Sequence, residues 1–266
     1  MRLLKKVTAL SLTMILLLTM TGCGKKDDLD TLGKIKKNGK ITIGVESNQE
    51  PWCYHAENGE LTGFDVELAQ AVAEKLGVGV LLFECNWDDL FRGFDQGKYD
   101  IIIDSLEKTE EREKKYDFSD PYGQYNMVLV VAEDNTDIKG FEDLKGKKTS
   151  NAKGTTYANI ASKYGAEVHD SSGVSDAIGM VASGLTDAMI NTELPIYDYM
   201  KRHPEAALKI VATSDDPAVF MIPVRNGGES ATLLAEVNRA LSELKEEGTL
   251  SEMSNKYLGI DITDEK

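Results

Sequence analysis

Histidine and cysteine are scarce in this chain, with three of each in 266 residues. The histidines, His55, His169 and His203, are scattered, and Cys23, Cys53 and Cys85 lack the close paired spacing of zinc ligands. No metal site and no cofactor are therefore expected. Positive charge is short as well: 30 basic residues stand against 45 acidic ones, a formal net charge of −15. So acidic a surface repels phosphate backbones, which excludes nucleic acid as a partner. No repeat of fixed period is present. The one long apolar run, residues 7–20, is too short to read comfortably as a membrane-spanning helix.

That run is instead the apolar region of an export signal, preceded by Arg2, Lys5 and Lys6. Met20-Thr21-Gly22-Cys23 resembles a lipobox. Residues 1–22 are thus expected to be a signal peptide, Cys23 the lipidated N-terminus, and residues 23–34 a tether. Simple secretion with cleavage nearby is the alternative. The expected location is the outer face of the cell membrane, with no membrane contact beyond the lipid. Cys53 and Cys85 fall past the ends of two strands expected to be neighbours, where a disulfide and two free thiols both remain open.

From residue 41 the pattern is that of an α/β fold. Strands are expected at 41–45, 78–84 and 101–103, and helices at 66–76 and 87–96. This is the alternation of a parallel sheet with right-handed crossovers. The rhythm restarts after Tyr122, with a strand at 127–132, a turn-rich connector at 138–148 and a helix from Thr155 to about Tyr164. Segments 177–181, 187–191 and 197–201 complete a second set. Extended segments at 208–212 and 219–224 follow, then helices at 230–247 and 250–257.

The most informative stretch is residues 98–122, KYDIIIDSLEKTEEREKKYDFSDPY. Its apolar run stops abruptly at Asp104-Ser105, and ligands of open α/β sheets sit outside such strand ends. The stretch resembles the signature of the amino-acid-binding branch of bacterial extracellular solute-binding proteins, the capture subunits of ABC importers. That signature reads roughly D-[apolar]3-S-G-x-T-x-T-x-x-R, then x-x-x-x-D-F-S-x-P-Y. Asp100, Ser105, Thr109, Arg112 and residues 117–122 fall in register with it, and the likeness covers about residues 35–260.

The resemblance implies a two-lobed periplasmic-binding-protein-like fold of type II, with two chain crossings forming a hinge near residues 121–125 and 220–224. Lobe 1 would be residues 35–123 plus 222–266, and lobe 2 residues 124–221. It also implies roles for single residues. Arg112 would clamp the carboxylate of an α-amino acid, because a guanidinium fork matches both oxygens. Thr155 and Thr156 would meet the same carboxylate at a helix N-terminus; a plain helix cap is compatible with that role. Glu46 and Asp104 would face the ligand side chain, with Trp52 packed over it and Ser105 nearby.

Two positions depart from the family pattern. Glu107 replaces a hydroxyl residue, and Thr192 stands where an aspartate usually holds the ligand ammonium, with Glu193 beside it. Which carboxylate holds the ammonium stays open. The implied function is capture of one polar or cationic amino acid, cystine among them, by a monomer that delivers it to a permease. No enzymatic activity is expected. The alternatives are a same-fold enzyme, such as a dehydratase of cyclic dienoic acids, and a ligand-sensing receptor domain.

Overall fold

Two five-stranded sheets carry the fold. In the computed structural model, which describes residues 29–263, the first sheet has the order Gly79–Cys85, Lys40–Glu46, Ile101–Ile102, Pro223–Arg225, Tyr116–Phe118. Its first three strands are parallel, with Lys40 opposite Gly79, Glu46 opposite Cys85, and Ile43 opposite Ile101. The helices Phe64–Lys75 and Trp87–Asp95 connect them. Pro223–Arg225 returns late in the chain and runs antiparallel, placing Val224 opposite both Ile101 and Asp117.

The second sheet has the order Glu167–His169, Lys148–Ser150, Ala188–Thr192, Met127–Ala132, Leu208–Thr213. Met127–Ala132 reads as a continuous apolar run because both of its faces are covered. Val128 and Val130 pack with Ala177, Ile178, Val181 and Ile196. Leu129 and Val131 pack with Ile138, Leu144 and Ala161 on the other side. This strand is antiparallel to both neighbours, so the sheet is mixed rather than parallel throughout.

The chain crosses between the sheets twice. Gly123–Tyr125 pairs antiparallel with Ala218–Phe220, giving a two-stranded connector. An aromatic cluster braces it from the side of the first sheet. Trp52 meets Phe64 at 5.6 Å and Phe220 at 5.3 Å edge-on, and Tyr122 stacks on Phe64 at 6.2 Å. The helices Ala231–Glu246 and Thr249–Leu258 bury Leu233, Val237, Leu241, Leu250 and Met253 in the same core cluster as Val72 and Ile43.

Several sequence expectations change. Residues 31–34, assigned to the tether, belong to a helix, Thr31–Asn38, whose Ile35 is buried. Residues 219–224 form two strands split at Met221-Ile222. The segment at residues 177–181, whose element type the sequence left open, lies within a helix, Val174–Ala182. Cys53 and Cys85 are free thiols, the first buried. The signal peptide and Cys23 lie outside the described residues. Among the described residues, no helix is long and apolar enough to cross a membrane.

Gly44 marks a close approach in the first sheet. A Cβ there would lie 2.5 Å from a Tyr99 ring carbon. Gly44→Ala must displace that ring from its stack on Phe94. It is expected to cost roughly 1–3 kcal/mol, read as a lower urea midpoint at unchanged m-value.

Candidate functional site

The carboxyl ends of two neighbouring parallel strands, Lys40–Glu46 and Ile101–Ile102, place Glu46 beside Asp104. The Asp104 Oδ1 accepts a hydrogen bond from the Glu46 backbone N–H at 3.0 Å. The chain then turns sharply at Ser105, a non-glycine residue with φ 45°. Its hydroxyl lies 3.2 Å from each oxygen of Asp65, a buried residue in the first turn of the helix Phe64–Lys75. Beyond the turn, Leu106 and Glu107 meet the second crossing. The Met221 N–H donates to the Leu106 carbonyl at 2.8 Å, and Glu107 bridges to Phe220.

Thr109 then caps the short helix Glu110–Glu113 by accepting from the Arg112 N–H at 3.2 Å. The cap turns Arg112 inward, leaving it 6% exposed. One guanidinium nitrogen donates to the Glu107 carbonyl at 2.8 Å, another to the Gly154 carbonyl at 3.2 Å. The guanidinium also lies over Phe91 at 4.7 Å and Trp87 at 5.3 Å.

The facing side comes from the mouth of the helix Thr156–Lys163. Thr155 is its N-cap, accepting from the Ala158 N–H at 3.2 Å and donating to the Ala152 carbonyl at 2.7 Å. Thr156 donates to the Glu107 Oε2 at 3.2 Å, and the Trp87 indole N–H to the Lys153 carbonyl at 3.0 Å. The Tyr157 hydroxyl faces both the Glu107 carboxylate and the Thr192 hydroxyl. Thr192 ends its strand almost fully buried.

Carboxylates dominate the electrostatics. Burial, then the charges of Glu46 and Asp65, push the Asp104 carboxyl well above its ordinary range. Burial raises Glu107, partly offset by Tyr157 and Arg112. Burial also raises Glu46, offset by a hydrogen bond from Gln49. Desolvation pulls the Arg112 guanidinium down, against the opposing pull of Glu107 and Asp104. Two buried oxygens, Asp104 Oδ2 and Glu107 Oε1, have no hydrogen-bond partner among the described residues. Buried acceptors without donors are rare and costly.

Glu46, Asp104, Glu107, Arg112, Thr156 and Thr192 therefore gather in one polar cluster, with Thr155 at its edge. Trp52, expected over the ligand, is 5% exposed, and its ring packs in the aromatic cluster beside the crossings. Ser105 turns its hydroxyl onto Asp65. Glu193 accepts from the Asn126 side chain at 2.8 Å and lines a separate cavity of about 180 Å³ with Gln124, Asp215 and Asp261. Sequence reasoning missed Tyr157, Asp65, Gln49 and Phe91. Tyr157 directly follows the Gly154-Thr155-Thr156 run, so its position at a helix mouth was its available signal.

A family model for bacterial extracellular solute-binding proteins, family 3, matches residues 41–260. The L-cystine-binding protein TcyA of Bacillus subtilis is 37% identical, over 89% of this chain and 87% of its own. The L-cystine-binding protein TcyJ of Escherichia coli K12 is 32% identical over 89% of each chain. Among solved structures, an ancestral arginine-binding protein bound to arginine superposes with a TM-score of 0.75. It is 36% identical, covering 83% of this chain and 99% of that one. Each of these relatives is named as an amino-acid-binding protein. The chain belongs to family 3 of the bacterial extracellular solute-binding proteins, which serve amino-acid ABC transport.

Proposed function

We propose that this protein captures one α-amino acid carrying a second positive group and delivers it to an ABC permease. Arginine, lysine, ornithine and cystine fit that description. Two bodies, residues 35–123 with 222–266 and residues 124–221, close about the paired crossings. The ligand carboxylate meets Arg112 and the helix mouth at Thr155 and Thr156. One ammonium meets Glu107, and the side-chain end meets Asp104 and Glu46. The protein acts as a monomer, exported by residues 1–22 and anchored outside the membrane through Cys23.

One observation carries the ligand class. Among the described residues, Asp104 Oδ2 and Glu107 Oε1 are buried carboxylate oxygens without a donor, in a cluster that includes the cation Arg112. An unpaired buried carboxylate is unfavourable, and an ammonium is the partner that relieves it. The names of the relatives, two for L-cystine and one for arginine, lie within this class. A thermal-shift screen of residues 24–266 against the amino acids is the test. At 100 times its dissociation constant, the right ligand stabilises the fold by about 2.7 kcal/mol. A melting curve that moves only with glutamate or leucine-type ligands rejects the class; one that moves only with glutamine or serine points to a neutral polar ligand.

The raised carboxyls add a pH dependence with a definite sign. Asp104, Glu107 and Glu46 hold protons above the ordinary carboxylate range, and an ammonium needs them ionised. Binding must then release protons, so affinity should rise with pH above the ordinary carboxylate range. Calorimetry in two buffers of different ionisation heat reads the released protons directly. The unliganded fold behaves oppositely. Asp65 is pushed up to about 8 by burial, so its contribution to stability is lost as pH rises from the ordinary range towards 8. Asp65→Asn should flatten that slope.

A further inference from the structure

Asp65 is the most deeply buried carboxyl near the cluster, 1% exposed, and it has no place in the ligand scheme above. It touches neither Arg112 nor the facing helix. Its two oxygens both meet the Ser105 hydroxyl at 3.2 Å, and the Ser105 backbone N–H faces the same carboxyl. Its own backbone is fixed independently, because the Asp65 N–H donates to the Trp52 carbonyl at 2.9 Å. The backbone approach there is close: a Cβ on Gly63, φ 126°, would lie 2.2 Å from that carbonyl oxygen. Asp65 is therefore a rigid anchor rather than an adaptable contact.

What it anchors is unusual. Ser105 has φ 45°, left-handed backbone that L-residues other than asparagine and aspartate seldom adopt. Without a local tie, the turn would relax towards ordinary dihedrals. Asp104 lies immediately before it and Glu107 two residues after, so a change at 105 re-aims both. Held as it is, the turn sends Asp104 Oδ1 to the Glu46 N–H at 3.0 Å and Glu107 towards Thr156 and the Arg112 loop.

We infer that Asp65 is a positioning residue for ligand binding: through Ser105 it locks the left-handed turn that aims the Asp104 and Glu107 carboxylates. The inference builds on the proposed binding role of those two residues, but its test does not depend on that role.

The test compares Ser105→Ala with Ser105→Gly in the mature chain. Both lose the hydroxyl. Alanine must hold φ 45° without its anchor, whereas glycine adopts that conformation readily and keeps the backbone N–H. Ser105→Ala is expected to bind L-cystine and L-arginine at least about tenfold more weakly than Ser105→Gly, a difference of about 1.4 kcal/mol. Hydrogen exchange supplies a readout that needs no ligand. The Glu46 amide, which donates to Asp104, should lose protection in Ser105→Ala and keep more of it in Ser105→Gly. Asp65→Asn, whose amide oxygen still accepts from the hydroxyl, should resemble the unsubstituted protein in that exchange, and Asp65→Ala should resemble Ser105→Ala. A Glu46 amide equally protected in the two Ser105 variants, or better protected with alanine, overturns the positioning role. Failure of the unsubstituted protein to bind either probe would count against the ligand class alone, because the exchange comparison still decides the role of Asp65.

Discussion

Arg112→Ala should lose roughly 2–5 kcal/mol of amino-acid affinity, about 30- to several-thousand-fold. The ligand carboxylate would otherwise enter a site already crowded with Glu46, Asp104 and Glu107, all largely buried. Arg112 is the cation that couples to two of them, and removing it turns an attractive field into a repulsive one. Part of the loss is local structure, because the guanidinium also ties the Glu107 carbonyl to the Gly154 carbonyl and stacks on Phe91. Arg112→Lys separates the two contributions. A lysine keeps the charge but not the planar fork, so most of the affinity should still be lost. Calorimetry on variants shown to be folded by circular dichroism checks this. Affinity within threefold of the unsubstituted protein for Arg112→Ala would mean that another group receives the carboxylate.

Much of the fold was legible because periodicity and strand-end chemistry are local signals. The run Ile101-Ile102-Ile103 followed by Asp104 announced a buried strand and its polar end, and the match at Asp117 to Tyr122 placed the first crossing. The short strands at Lys148–Ser150 and Glu167–His169 were not legible, since three residues carry too little pattern to separate strand from loop. The mixed order of the second sheet was hidden for a different reason. Strand direction depends on which segments meet in space, and the sequence of Met127–Ala132 is the same read as parallel or antiparallel.

Within the site, residues that face outward from strand ends could be identified, and residues that act through a neighbour could not. Glu46, Asp104 and Arg112 were singled out from the sequence and lie together in the polar cluster; Tyr157 and Asp65, which border it, were not singled out. Trp52 packs edge-on against Phe64 and Phe220 beside the crossing, and in sequence an aromatic next to a loop looks the same whether it covers a ligand or a crossing. Ser105 needs a correction of register. Counted from Asp100 in the family pattern, the serine falls on Asp104 and the glycine on Ser105. A glycine's place explains the left-handed backbone, and the side chain that fills it requires the anchor at Asp65.

Glu107→Thr should weaken binding by a similar 2–5 kcal/mol, because the ligand ammonium would lose its carboxylate. The Tyr157 hydroxyl faces both Glu107 and Thr192, so both positions lie near one phenol oxygen. A carboxylate placed at 192 would approach the same region from the facing sheet. Adding Thr192→Asp to Glu107→Thr should therefore recover a substantial part of the lost affinity. Thr192→Asp alone should behave differently. Two carboxylates would then crowd one hydroxyl, one of them holding a proton, and the fold should be less stable at pH 8 than at pH 5. The two substitutions must be strongly non-additive, as residues sharing a partner are. Glu193 is the competing carboxylate, but its side chain is held by Asn126 and lines the separate cavity beside Tyr125. Glu193→Gln should leave the affinity within about threefold, less than 1 kcal/mol. A double variant no tighter than Glu107→Thr, together with loss of binding in Glu193→Gln, would transfer the ammonium from the first sheet to the second.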